Sequence, residues 1–470
     1  MTSRRPLTRH AHIDFSDEVL WDCRVKEPEP GQSSVAVTEQ SALDSASRDL
    51  MERVVAWDNL VSAWKNVRAN GGAPGPDGVT VTDFPEHYDE HWPRIREQLL
   101  EGTYQPGAAR RKSIPKSDGT ERHLGIPNVI DRFIQQAILQ VLTRIFDPEF
   151  SESSYGFRPR RSAHGAIKQI QATIRAGNRY CVDMDLSKFF DRVQHDALMA
   201  RVARKVHDKR LLKLVGRYLR AGVMVDGLVQ PSHEGTMQGG PLSPLLANIL
   251  LDDFDKALEA RGLMFVRYAD DFLVFTRTEL AARRIFRSVG RYLTRKLKLV
   301  VNREKSRICS TAGVEFLGYQ FHGSGGQIRV SPKNKQRFKE RARGLLDRNS
   351  GQSTGHRLYH LNSYLRGWIG YFALEQRKSE FEGLDKWLRR RLRACIWKQW
   401  RLPRTRIQKL AALGVRPDEA YSHGTSRKGP WRMSKTRALT MALTTQRLND
   451  LGLISLLDRW NELAPLRRTA

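Results

Sequence analysis

Apolar positions recur at helical spacing after residue 48, and the pattern predicts a helix from about Asp49 to Val67. The string NGGAPGPDG over residues 70–78 must end it in a loop. Residues 110–127 (RRKSIPKSDGTERHLGIP) read as a β-hairpin around Ser117-Asp118-Gly119. A helix then runs from Asp131 to Ile145, with Phe133, Ile134, Ala137, Ile138, Val141 and Leu142 on its apolar face. Residues 179–186 (RYCVDMDL) form a strand, followed by a Lys- and Arg-rich helical stretch to about Leu219. Residues 223–230 make a second hairpin around Asp226-Gly227. The loop HEGTMQGGPLSP leads into a helix from about Leu245 to Arg261. Residues 263–276 (LMFVRYADDFLVFT) are two apolar strands around a tight acidic turn. Another helix, two short strands (LKLVV and VEFLGYQF) and then only helical patterns complete the chain. No internal repeat interrupts this order, which is mixed α and β first and all-α later.

Composition adds one strong fact. The 470 residues carry a net charge of +29, and residues 333–470 hold 31 Lys/Arg against 11 Asp/Glu. A basic third interleaved with Trp368, Trp387, Trp397, Trp400 and Trp431 points to nucleic-acid binding. Residues 1–48 are slightly acidic, with 6 Lys/Arg and 8 Asp/Glu, and read as a weakly structured extension rather than a basic arm. The four cysteines, Cys23, Cys181, Cys309 and Cys395, form no CxxC pair, so neither a zinc ribbon nor a disulfide framework is expected. A cytosolic, reducing location follows, and no apolar run reaches signal-peptide or membrane-spanning character.

The acidic turn is where chemistry enters. Asp270 and Asp271 are adjacent carboxylates between arms built for burial, and like charges about 4 Å apart repel by roughly 4 kcal/mol at an effective dielectric near 20. Such a pair needs water, donors or a cation. Alone it would be an ordinary solvated turn. A second strand, however, ends in Asp183-Met184-Asp185, with Phe189-Phe190 just beyond. Three carboxylates from two strand ends could hold two Mg²⁺ ions, which prefer oxygen ligands and keep positions open for phosphates.

On these residues the chain resembles the reverse transcriptases encoded by group II introns. YADD (268–271) is similar to that family's central motif, and DMDLSKFFDRVQHD (183–196) to its first catalytic motif. GTMQGGPLSPLLANILL (235–251) resembles its glutamine–glycine motif. IPKSDGTERHLGIP, the segment Asp131–Ile138, SSYGFRPRRSAHGAI (153–167), EKS (304–306) and FLGY (316–319) match in order. The resemblance covers roughly residues 49–465. It implies an α+β right-hand polymerase, with fingers over 49–178 and a palm with antiparallel sheet over 179–325. A helical thumb or maturase domain over 333–412 and a small basic DNA-binding region over 413–470 would follow.

By that resemblance Asp185, Asp270 and Asp271 are catalytic, and with the Leu186 carbonyl they bind two Mg²⁺ ions, for which Mn²⁺ could substitute. Asp183 is the alternative first-motif ligand. Asp185 is preferred because the family places an aromatic, here Phe190, five residues later. Phe190 would exclude a ribose 2′-hydroxyl. Lys116 and Arg122 would hold the triphosphate, and Gln238 would line the nucleotide pocket. Met237 stands where many relatives have proline. Lys305 is expected near the leaving phosphates, and Phe316, Leu317 and Gly318 under the primer end.

Within LDKWLRRRLRACIWKQW (384–400), Leu384, Trp387, Leu388, Leu392, Cys395 and Ile396 form one apolar face. Lys386, Arg389, Arg390, Arg393 and Lys398 point elsewhere, and Arg389, Arg390, Arg393 and Lys398 are the expected RNA and DNA contacts. The implied activity is RNA-directed DNA polymerisation with assistance to intron splicing and retrohoming. The implied partners are group II intron RNA, an RNA template with DNA primer, target DNA and dNTPs. No cysteine–histidine cluster of the family's nuclease domain follows, a pattern most like the group IIC subclass. The competing readings are an RNA-binding splicing cofactor with a decayed polymerase, and a polymerase recruited to host defence. Retention of the whole catalytic set favours the enzyme.

Overall fold

The computed structural model describes residues 49–115, 121–225, 228–230, 235–236 and 239–464. The extension over residues 1–48 and the turns at 116–120 and 226–227 lie outside the described residues. The chain divides into two compact units, Met1–Ser162 with Cys181–Ile308, and Ala163–Tyr180 with Cys309–Ala470.

In the first unit the helix expected over 49–67 is two helices, Leu50–Val54 and Trp57–Asn70, broken where Ala56 is extended. Side chains take over orphaned backbone groups at the break and at the start of the first helix. Asn59 Nδ2 donates to Val54 O at 2.9 Å, and Asp208 Oδ2 accepts from Met51 N–H at 2.9 Å. A further helix, not among the expected elements, spans Phe84–Glu101, and its buried residues Phe84, Tyr88, Trp92, Ile95 and Leu99 follow the helical period. Tyr88 and Trp92 meet Phe133 edge-on, with centroids 5.7 and 5.6 Å apart. Phe133 belongs to the helix Val129–Phe146, which buries residues on most of its circumference.

The first hairpin pairs β1 (Ala109–Pro115) with β2 (Glu121–Ile126) antiparallel, Ile114 opposite Arg122. β3 spans Tyr180–Leu186. β4 (Val223–Val225) and β5 (Leu228–Gln230) form the second hairpin. β1 also pairs with β4, in parallel, so this sheet of order β2-β1-β4-β5 is mixed. Each hairpin joins the other through its first arm, and those two arms run the same way.

A second sheet has the order β6-β7-β3-β8, with β6 at Phe265–Tyr268, β7 at Asp271–Thr276 and β8 at Val301–Ser310. The apolar helix Ser243–Glu259 packs on it, Phe254 against Phe272 at 4.9 Å between centroids. The strand expected at LKLVV starts only at Val301. Its leucines instead close the preceding helix: Lys298 adopts φ 57° and Leu299 N–H donates to Leu293 O at 3.0 Å.

In the second unit VEFLGYQF is a tight hairpin, not one strand. β9 (Glu315–Phe316) and β10 (Tyr319–His322) flank Leu317 and Gly318, whose φ values of 48° and 81° suit a two-residue turn. An unanticipated β11 (Gln327–Val330) completes a three-stranded sheet. From Pro332 onward the described elements are all helices. The helix Lys378–Gln399 buries Leu384, Leu388, Leu392, Cys395 and Ile396 as its period required. Its buried Asp385 accepts from Leu456 N–H at 2.9 Å and Leu457 N–H at 3.1 Å, tying the helix Leu456–Glu462 to it.

Candidate polymerase site

The acidic turn is a two-residue hairpin: Tyr268 pairs with Asp271, leaving Ala269 and Asp270 at the tip. Ala269 sits at φ 58°, a left-handed conformation that costs a non-glycine residue about 1–2 kcal/mol. What holds it is an arginine. Arg267 is fully buried in the apolar arm β6. Its Nη1 donates to Ala269 O at 3.0 Å and to Asn248 Oδ1 at 2.8 Å. Its Nε and Nη2 donate to the fully buried Asp255, at 2.8 and 2.5 Å. Asn248 Nδ2 in turn donates to Gly156 O at 2.9 Å. A Cβ on Gly156 would lie 2.3 Å from Ala269 N, so only glycine lets that backbone pass behind the turn. Burial pushes the Asp255 carboxyl up, while Arg267 pulls it back. None of Arg267, Asp255, Asn248 and Gly156 is among the site residues expected from the sequence. The available signal was a lone arginine inside an apolar strand, since a buried charge must be paired.

β3 lies beside β7 and brings the second pair of carboxylates. Met184 and Leu186 are buried, so Asp183 and Asp185 share the opposite, half-buried face. Their partners on β8 differ. Arg307 Nε donates to Asp183 Oδ2 at 3.2 Å, an ion pair. Asp185 instead accepts from the neutral Asn302 Nδ2 at 3.0 Å, and its N–H donates to Ser306 Oγ at 3.1 Å. Burial raises the Asp183 carboxyl despite Arg307.

Asp271 is pushed up to about 6, first by burial of its carboxyl and then by the fields of Asp270, Asp185 and Asp183. The residue as a whole is exposed, so its carboxyl is crowded by protein while water still reaches it from one side. The Asp271 carboxyl therefore feels three other carboxylates at the ends of β3 and β7. Among the described residues no three His, Cys, Asp or Glu side chains are gathered closely enough to hold a metal ion by themselves. An open carboxylate cluster fits magnesium, which binds through one or two carboxylates and keeps water and phosphate ligands. Asp185, Asp270, Asp271 and the Leu186 carbonyl are the groups that would hold it.

Phe190 lies in a short 3₁₀ turn, Phe189–Arg192, after Lys188 at φ 49°. Its ring meets buried Phe189 edge-on at 5.2 Å, and its carbonyl accepts from Thr236 N–H at 2.6 Å. It lines a cavity of about 820 Å³ together with Ile114, Leu124, Phe157, Gly239 and Gly240. Lys116, Met237 and Gln238 lie outside the described residues, as does the side chain of Arg122. Lys305 is exposed on β8. Phe316, Leu317 and Gly318 belong to the second unit, where Phe316 is buried and a Cβ on Gly318 would meet Asn334 Nδ2 at 2.7 Å.

The tryptophans of the basic third divide, with Trp387, Trp400 and Trp431 half-buried. Trp368 and Trp397 are buried. Arg390 lies 3.6 Å over the Trp431 ring and donates to Trp431 O at 3.3 Å, while Arg343 and Arg391 cover Trp387. Arg393 donates to Leu443 O at 2.9 Å, and burial lowers its guanidinium's proton affinity. Arg389 is half-buried and Lys398 is exposed.

Comparison with known proteins puts these features in a family setting. Residues 114–321 match the family described as reverse transcriptase (RNA-dependent DNA polymerase). Residues 335–413 match the group II intron, maturase-specific domain. The chain is 35% identical to protein YkfC of Escherichia coli over 53% of its own length and 75% of that protein's. It is 30% identical to the group II intron-encoded protein LtrA of Lactococcus lactis, over 58% of this chain but only 45% of LtrA. A putative COX1/OXI3 intron 2 protein of Saccharomyces cerevisiae is 24% identical over 62% of this chain and 39% of its own.

Proposed function

The chain belongs to the family of group II intron-encoded reverse transcriptases and maturases, and we propose that it copies RNA into DNA at the cluster of Asp185, Asp270 and Asp271. The carrying observation is the turn itself, a strained acidic tip pinned by a buried Arg267–Asp255–Asn248 network and facing a second carboxylate strand. Protein that only bound RNA would gain nothing from holding mutually repelling carboxylates in place.

Reverse transcription in this family is dependent on divalent metal. Two magnesium ions, replaceable by manganese, would supply charge neutralisation for in-line attack of a primer 3′-hydroxyl on a nucleotide. Asp185 is the first-motif ligand in this reading, because Asp183 already has a guanidinium partner. Phe190 would pack under the sugar and exclude a 2′-hydroxyl. Lys116 and Arg122 would take the triphosphate, and Gln238 the nucleotide pocket, with Lys305 near the leaving phosphates and the Phe316–Gly318 turn supporting the primer. The helical region, with Arg389, Arg390, Arg393 and Lys398 among its cations, would bind the host intron RNA, support its splicing and engage target DNA. The domain bounds 49–178, 179–325, 333–412 and 413–470, a cytosolic location and the group IIC subclass complete the proposal. Among the described residues no helix is long and apolar enough to cross a membrane.

The test is primer extension by the full chain on an RNA template with a DNA primer, Mg²⁺ and dNTPs. Incorporation should exceed that of Asp270→Ala by at least about a thousandfold, on the scale of removing a major transition-state stabiliser. Equal incorporation by the two proteins rejects the polymerase reading.

A further inference from the structure

Phe157 stands out against its surroundings. The residue is 59% exposed and its backbone sits at φ 57°, where a residue with a side chain is strained. Neither feature helps the protein fold, yet the chain is clamped on both sides of it. Before it, Tyr155 N–H donates to Arg267 O at 2.8 Å, and Gly156 is wedged under Ala269 and accepts from Asn248. After it, buried Arg158 donates to Asp147 Oδ1 at 2.7 Å, to Ser151 O at 2.5 Å and to Ser154 O at 3.0 Å. The clamp before it shares Arg267 and Asn248 with the acidic turn. The position of Phe157 is therefore set by the same network that sets Asp270.

The ring faces chemistry. Its centroid is 6.3 Å from that of Tyr268, the first residue of the acidic turn motif, at an interplanar angle of 45°. It lines the cavity of about 820 Å³ shared with Phe190, Ile114 and Leu124 of the first hairpin, and Gly239 and Gly240. A flat apolar face held beside a carboxylate cluster suits a ligand with a flat ring at one end and phosphates at the other. That ligand is a nucleotide.

We propose that Phe157 is a nucleobase-stacking residue of the polymerase site, its strained backbone being the means by which the ring is held out toward the cavity. This rests on the polymerase reading above. The base can come from the incoming nucleotide or from the template, and either would use the same aromatic face. Base–aromatic stacking of this kind corresponds to about ten- to a hundredfold in affinity.

The test uses the full chain with Phe157→Gly and Phe157→Tyr. Glycine removes the ring and relieves the left-handed strain, so its melting temperature should equal or exceed that of the parent. Tyrosine keeps a flat ring and should retain activity within a few fold. Binding is read without chemistry, by quenching of 2-aminopurine placed either at the templating position of a primer–template or in the incoming triphosphate. Phe157→Gly should weaken one of these by about ten- to a hundredfold. If the triphosphate arm changes, KM for dNTP rises and template affinity holds. If the template arm changes, an abasic site at the templating position should bring the parent down to the level of Phe157→Gly.

Unchanged binding in both arms overturns the proposal, as does a melting temperature lowered by Phe157→Gly, which would assign the ring to packing. A parent that incorporates no more than Asp270→Ala rejects the polymerase reading instead, and the binding arms still decide the stacking.

Discussion

Two arginine-bearing segments use the same side chain in opposite ways. In β6, Arg267 is wholly inside the protein, with hydrogen bonds to Asp255, Asn248 and the Ala269 carbonyl. In the helix Lys378–Gln399, Arg389, Arg390 and Arg393 are half-buried, and two of them rest on a ring or a backbone carbonyl. The first is a positioning device, because a buried guanidinium tolerates only one arrangement of its partners. The second is a distributed field, in which the sum of +20 over residues 333–470 matters more than any single charge. Catalysis needs atoms in place, whereas polyanion binding needs charge in number.

That contrast predicts a graded set of losses. Asp255→Ala should cost about 3–5 kcal/mol, because it leaves Arg267 buried and unpaired. Thermal unfolding should fall by on the order of 10 °C, and a shift under about 1 °C would remove the network's role.

Asp131 gives the next effect. It is buried, and its hydrogen-bond donors are phenols and an amide: Tyr104 Oη at 2.9 Å, Tyr218 Oη at 3.2 Å and Gly107 N–H at 3.1 Å. Burial pushes it up to about 6 from an ordinary 3.8, and those donors offset this only in part. Between these values the folded protein holds a proton that the unfolded chain has lost. Stability relative to Asp131→Asn should therefore decline by about 3 kcal/mol as pH rises from below 3.8 to above 6. A pH-independent difference in melting between the two proteins would contradict it.

The smallest effect belongs to the basic helix. Replacing Arg389 and Lys398 with Gln should weaken binding of structured RNA by only a few fold and reduce the slope of log K against log salt by about 0.7 for each lost phosphate contact. A loss of tens of fold at unchanged slope would make these residues specific contacts rather than part of a field.

Legibility in the sequence follows the same line. The acidic hairpin is readable because Phe265, Val266 and Phe272–Phe275 are apolar arms on either side of Asp270 and Asp271. The role of Arg267 is not, since its partners Asp255 and Asn248 lie on a different element, and spacing within one strand carries no hint of a pairing made across elements. The individual tryptophans are not separable by sequence for a related reason: composition near arginines looks alike whether a ring is half-exposed, as with Trp431, or, as with Trp397, sits in the core. The helix Phe84–Glu101 does carry a helical period, but Pro93 inside it reads as a breaker. Lys298 and Leu317 take left-handed conformations that their residue types disfavour. Local pattern gives the elements and the chemistry at their tips. Long-range ionic contacts decide which tips are held still.

The sharpest measurement sets Asp185→Asn beside Asp183→Asn in RNA-templated primer extension at fixed Mg²⁺. Both residues lie on one face of β3, and they differ in having Asn302 or Arg307 as partner. Asp185→Asn should lose about a thousandfold or more of the incorporation rate, as expected for a group acting directly on developing charge, while Asp183→Asn stays within about tenfold, the scale of a perturbed neighbouring charge. The reverse order, or equal small losses, would contradict a polymerase centre built on Asp185, Asp270 and Asp271.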